Sequence, residues 1–252
     1  MRLPITLLAA LLAAPLRAEP LLPLQGDPEA VARIEKMYSQ IGGRGIWADA
    51  KSMTIRYRQL SSGTRPGEGV EYAWRDMTRP RERLEWVRTD ALGTRTNFGR
   101  GNDESRGWRR RPDGSIVESR PEELKADLKF WERDYYTMFK RMAAGDPSIR
   151  YRFIPPNRIE ATDSGGQLLN WWDIDSAGWL LQWGTTDSDG SPINWYYGPY
   201  KKYGRIAFPA WGISPQFLIR FEYVDFRISP KPFPEQVLAD PINPPSPKLL
   251  AR

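Results

Sequence analysis

Four groups of residues in this 252-residue chain have types and spacings that chemistry could use. The first is carboxylate pairs. Asp173 and Asp175 stand two apart on one extended segment, and Glu68 and Glu71 lie three apart. Two carboxylates at a suitable separation can run glycoside hydrolysis, one as acid and one as base or nucleophile. A turn role already accounts for Asp173 and Asp175, so a carboxylate-dependent hydrolase is the weakest of the readings. The second group is Asp187-x-Asp189-Gly190, which has the opening of a calcium loop. Its twelfth position is Gly198 where an EF-hand needs Glu, so it reads as a hairpin turn. The third is an arginine-rich stretch, Arg100 to Arg111, with Arg106, Arg109, Arg110 and Arg111 around Trp108. Guanidinium groups at a rim suit an anionic headgroup or partner. A charge run is more commonly a solvated face, here balanced by Asp103, Glu104 and Asp113. The fourth is a set of aromatic and aliphatic side chains alternating along strands: Ile55, Tyr57, Tyr72, Trp74, Leu84 and Trp86, then Leu168, Trp172, Trp179, Leu181 and Trp183. These are candidates to line an apolar cavity. The competing reading is an ordinary core packed against helices.

Composition removes most other chemistry. The chain has no cysteine and no histidine. A thiol nucleophile and a zinc–thiolate site are thereby out, and so are the commonest general base and metal ligand. Carboxylate chemistry and oxygen-only calcium binding stay open on composition alone, although no metal or cofactor is expected. Eleven Trp and eleven Tyr supply apolar area with polar tips, which suits cores and sugar or lipid sites.

The N-terminus reads as a secretion signal. Arg2 precedes the apolar run from Leu3 to Leu16, and Ala18 offers a small residue for cleavage. The run is too short to span a bilayer and is broken by Pro4 and Pro15. Removing residues 1–18 takes away Arg2 and Arg17 and leaves 35 basic against 31 acidic residues. That weak surplus gives no argument for nucleic acid. The expected product is a soluble exported chain, periplasmic and without a lipid anchor.

The elements that must position these side chains can be read from periodicity. Pro28, Glu29 and the helical spacing of Val31, Ile34, Tyr38 and Ile41 predict a helix over 28–41, ended by Gly42-Gly43. Alternation predicts strands at 53–57, 70–75 and 84–87, with two short ones at 94–98 and 107–110 and a hairpin turn at Asp113-Gly114. On this reading Val70, Tyr72 and Trp74 share one face and Glu71, Ala73 and Arg75 the other. A second helical stretch opens at Ser119 and Pro121 and closes at Gly145-Asp146-Pro147, long enough to contain a break. Strands follow at 157–162, 168–174, 179–185, 193–197, 207–211 and 217–228. The proline-rich tail, 229–252, is expected to be extended or disordered.

Several landmarks, in order, resemble the LolA/LppX-like family of periplasmic lipoprotein and lipid carriers. They are Tyr57-x-Gln59 after the first helix, Arg79-Pro80 before the strand bearing Trp86, and a strand-turn-Trp element from Gly101 to Trp108. Trp172-Asp173-Ile174-Asp175-Ser176-Ala177-Gly178, Tyr200 to Pro209, and the finish from Phe221 to Pro241 complete the series. The family's short Asp-Gly turn is replaced by Asn102 to Ser105, and Leu238 stands where Phe is usual. The resemblance implies an α+β fold: a single curved antiparallel sheet, a half-barrel of about 10–11 strands, with amphipathic helices over its concave face. It also implies a non-catalytic carrier for a lipid or acylated protein, with no catalytic residue. The expected organisation is a signal at 1–18, one half-barrel domain at 19–243 and a disordered tail at 244–252. A membrane-bound donor or acceptor protein is the expected partner, and the carrier is expected to be a monomer. The alternatives are a Trp-rich carbohydrate-binding domain and an envelope sensor of the same fold.

Overall fold

The computed structural model describes residues 21–62, 66–186 and 190–242. The signal segment, the tail 244–252 and the Asp187-x-Asp189 turn lie outside the described residues. The chain opens with helices α1 (Pro28–Gln40) and α2 (Arg44–Ala48), followed by strands β1 (Ser52–Ser61), β2 (Gly67–Asp76), β3 (Glu82–Asp90), β4 (Arg95–Asn102), β5 (Gly107–Arg110) and β6 (Ile116–Glu118). Helices α3 (Pro121–Trp131) and α4 (Tyr135–Ala144) interrupt the strands. Then come β7 (Arg150–Ile154), β8 (Arg158–Thr162), β9 (Leu168–Ile174), β10 (Leu180–Thr186), β11 (Pro192–Tyr197), β12 (Tyr200–Tyr203), β13 (Ile206–Pro209), β14 (Trp211–Ser214), β15 (Ile219–Ser229) and α5 (Glu235–Ala239).

Thirteen strands form one open sheet, ordered β6-β5-β4-β3-β2-β1-β15-β14-β11-β10-β9-β8-β7, and β12 pairs with β13 apart from it. Its pairings are all antiparallel. The α+β half-barrel architecture expected from the sequence is the one observed, with the core helices on its concave face and the short α5 on the other. The strand count is higher than the expected 10–11. The additional strands β6, β7, β12 and β14 are only three to five residues long and too short to show clear alternation. The β7 edge is partly covered by a parallel bridge from Gly26 to Tyr151, which limits its use as a template for another strand.

Helix α1 buries Ala30, Ile34, Met37 and Tyr38; of the predicted stripe, Ile34 and Tyr38 are among them, Ile41 is buried just past the helix end and Val31 is half-buried. The break inside the second helical stretch falls between Trp131 and Tyr135. There Asp134 caps α4 by accepting from the Tyr136 backbone N–H at 3.0 Å. Gly145 ends α4 in a left-handed conformation (φ 73°) that glycine adopts without strain. A Cβ there would meet the Leu22 carbonyl oxygen at 2.2 Å. The short α2, absent from the periodicity reading, delivers Trp47 into the core, where it is fully buried against Phe139, Phe208 and Phe226.

The register corrects the faces of β2. Ile55 pairs with Ala73, which pairs with Leu84, and Tyr57 pairs with Glu71, which pairs with Trp86. Directly opposed residues share a face. Glu71, Ala73 and Arg75 therefore point inward, and Tyr72 and Trp74 point to the convex side. There Trp74 stacks with Tyr72 at 6.1 Å and is covered by Val237 and Leu238 of α5. The tail expectation is corrected for the same segment: residues 235–239 are helical. Arg81 ties Glu235 to Asp76, and fully buried Arg83 donates to the Val237 and Asp240 carbonyls. This anchored amphipathic turn supplies the cover that β2's outward aromatics require.

Candidate functional site

The concave face is not uniformly filled. At its α1/α4 side, Trp172, Ile174, Leu180, Phe139 and Tyr38 form solid core. Towards β3, the same face opens into a cavity of about 620 Å³. That volume falls within the range of small-molecule sites, about 300–1,000 Å³. Eleven of its eighteen lining residues are aromatic and two, Leu84 and Ile219, are aliphatic. The walls thus combine large apolar area with ring hydroxyls and indole N–H groups that can bond a polar function. Phe130 of α3 and Phe217, before β15, stand at the mouth, respectively 36% and 49% exposed.

Of the residues proposed from sequence, Tyr57, Leu84, Trp86 and Trp183 line this cavity together. Ile55 and Trp172 lie on the same inward face but are buried in solid core. Tyr72 and Trp74 face away, as the β2 register requires. Leu181 sits at an irregularity where β10 shifts register against β9, which turns it outward to 42% exposure. Trp179 packs on Tyr200 at 4.6 Å, and Leu168 is half-buried at the start of β9; neither reaches the cavity.

The cavity contains polar residues that the aromatic pattern did not mark. Tyr57, Tyr136 and Tyr223 form a hydroxyl chain, with oxygen–oxygen distances of 2.7 and 3.0 Å. Burial pushes all three phenols well above their ordinary range, so they remain neutral donors. Glu71 is buried in the wall. Its Oε2 accepts from the Trp86 indole N–H at 2.7 Å and from Gln59. Desolvation raises its carboxyl from 4.5 to about 7, only partly opposed by the Trp86 bond and by Arg100 and Arg75. Beside it, an ionic row crosses the concave face from Asp134 through Arg75 and Glu82 to Arg100 and Asp127. Burial works against charge on Arg75, but Asp134 and Glu82 outweigh it and hold the guanidinium protonated. Glu82 is likewise desolvated, yet Arg75 and Arg100 leave its carboxyl below its ordinary value. Arg75 was legible only as the polar half of an alternation, Glu71 as one of a carboxylate pair with Glu68, and Gln59 as part of the Tyr57-x-Gln59 landmark; none was marked as cavity lining. Tyr135, Tyr136, Trp195 and Tyr223 lay in segments already assigned to helix or strand.

The other sequence candidates have local structural partners. Asp173 is bound by Arg158 at 2.9 Å, and Asp175 accepts from the Trp179 backbone N–H at 2.8 Å within its turn. Glu68 pairs with Arg58 at 3.0 Å and lies on the face of β2 opposite Glu71. Neither carboxylate pair shares a cleft. Among the described residues, no group of three acidic side chains is arranged to hold a metal. No described helix is long and apolar enough to cross a membrane.

No family model matches the chain, and no curated protein does. Among solved structures, it is similar to a LolA superfamily protein from Nitrosomonas europaea. The match covers 84% of this chain and 97% of that one, at 10% sequence identity and a TM-score of 0.41.

Proposed function

We propose that the protein is a non-catalytic carrier, exported to the periplasm, that holds the acyl chains of a lipid or lipidated protein in the cavity beneath α3. The observation that carries this reading is the partial filling of the concave face. A chain evolved only to pack its sheet would cover the face beside Trp86 as completely as it covers Trp172; instead a space of about 620 Å³ remains, walled mainly by aromatic rings. Burying alkyl chain there gains about 0.8 kcal/mol per methylene. The apolar N-terminal run of residues 3–16 and the order of sequence landmarks support export and carriage. A membrane-bound donor or acceptor would complete the cycle.

Delipidated protein incubated with a membrane lipid extract and examined by native mass spectrometry provides the test. The expected result is one amphiphile retained per chain, released on unfolding. Recovery of the chain with no adduct at any lipid ratio would refute the proposal.

A further inference from the structure

A second space adjoins the cavity. It measures about 950 Å³ and shares Trp86 and Arg100 with the first. Its character differs. Its wall carries five arginines, Arg88, Arg100, Arg109, Arg110 and Arg111, against a single acid, Asp90.

The sheet register produces this concentration. Leu84 pairs with Arg100, which pairs with Arg109, so these side chains share the concave face, and Arg111 follows two residues on. Trp86 and Phe98, paired on the same face, stack at 5.0 Å and floor the passage between the two spaces. The arginines are not all equally available. Arg110 is committed to Glu85. Arg100 reaches Glu82 at 3.2 Å and Asp127 at 4.0 Å, yet its buried Nε has no hydrogen-bond partner among the described residues. Arg109 meets Glu123 only at 3.5 Å and is 51% exposed. Arg111 is exposed. Guanidinium groups converging on one concavity match phosphate or carboxylate oxygens in bidentate geometry.

Resting on the carrier reading above, we propose that this annex binds the anionic headgroup of the ligand: the cargo is an amphiphile whose alkyl part lies past Trp86 and whose phosphate or carboxylate is held by Arg100, Arg109 and Arg111. Arg100, which lines both spaces, marks the boundary between tail and head.

The test compares lysophosphatidylglycerol and oleate with uncharged monoolein, read by tryptophan fluorescence on the full chain. The wild-type protein should prefer both anionic probes over monoolein by roughly tenfold or more, and the preference should shrink as salt rises. Arg109→Gln/Arg111→Gln, at two exposed positions, should abolish the preference and leave monoolein affinity within about twofold. Equal binding of charged and uncharged probes by the wild type would overturn the inference while leaving the carrier reading intact. So would a preference unchanged in the double variant. Inorganic phosphate alone should bind far more weakly than lysophosphatidylglycerol; equal affinity would make this a free-anion site and overturn the amphiphile assignment. Binding of none of these amphiphiles would overturn both readings.

Discussion

Helices α3 and α4 follow one another in sequence and cover the same face of the same sheet, but different forces hold them there. Seven of the ten residues in α4 are buried, and none of the eleven in α3 is. Phe139 of α4 sits edge-on to Trp47 at 5.2 Å and to Tyr38 at 6.0 Å. Two ion pairs tie α3 to the sheet, Asp127 to Arg100 and Glu123 to Arg109. Half-exposed ion pairs contribute about 0–1 kcal/mol each, whereas a buried aromatic contributes several. One half of the concave face is therefore closed by packing, and the other is roofed by a helix that leaves space beneath it.

That contrast can be broken most severely at Phe139. Phe139→Ala should destabilise the protein by about 3–5 kcal/mol, while Phe130→Ala in α3, at a 36%-exposed position, should cost less than about 1 kcal/mol. Denaturant unfolding of the two variants measures the difference, and equal losses would erase the distinction between the two halves.

The cavity wall offers the next effect. Because the folded state binds the Glu71 proton more tightly than the unfolded chain, stability should fall as pH rises from 4.5 to about 7. The full effect is up to roughly 3 kcal/mol, taking about 1.4 kcal/mol per unit. Glu71→Gln keeps an acceptor for Trp86 and Gln59 without the charge, so its stability should lack this component of the decline. A parallel pH dependence in both proteins would show that Glu71 is ionised at little expense.

A third prediction concerns motion. Amide hydrogens of α3 should exchange at least roughly tenfold faster than those of α4, because few buried contacts oppose local opening. The smallest effect belongs to the ionic attachment: Asp127→Asn should change global stability by less than about 1 kcal/mol.

How much of this was legible in the sequence follows from the same contrast. Packed elements announce themselves in part: the start of α1 and the glycine end of α4 follow from periodicity and capping chemistry, whereas the second helical stretch was only long enough to contain a break, and its place at the Asp134 cap needed the structure. The inward face of β2 did not, because both of its faces carry reasons to be buried. Tyr72 and Trp74 look more core-like than Glu71 and Ala73, and only the five-residue α5 beyond β15 resolves the choice by covering Trp74. Cavity residues are harder still. Tyr57, Leu84, Trp86 and Trp183 were found because they alternate along strands. Ile55 and Trp172 obey the same pattern in solid core, since periodicity reports which face a residue occupies and not whether the space opposite is filled. The polar members, Glu71, Gln59 and Arg75, depend on cross-strand register, which pairs residues far apart in sequence. The arginines from 100 to 111 were visible as a run; their convergence with Arg88 beside Trp86 required the strand pairing.

The central claim, that the space beneath α3 receives an alkyl chain, is tested most directly by quenching tryptophan fluorescence with a bromine-labelled fatty acid. Trp86, Trp183 and Trp195 line the cavity, whereas Trp47 is enclosed in core. Saturable quenching at one equivalent, reduced in Trp86→Phe/Trp195→Phe and retained in Trp47→Phe, is the predicted result. Absence of quenching, or quenching indifferent to loss of the cavity tryptophans, would contradict it.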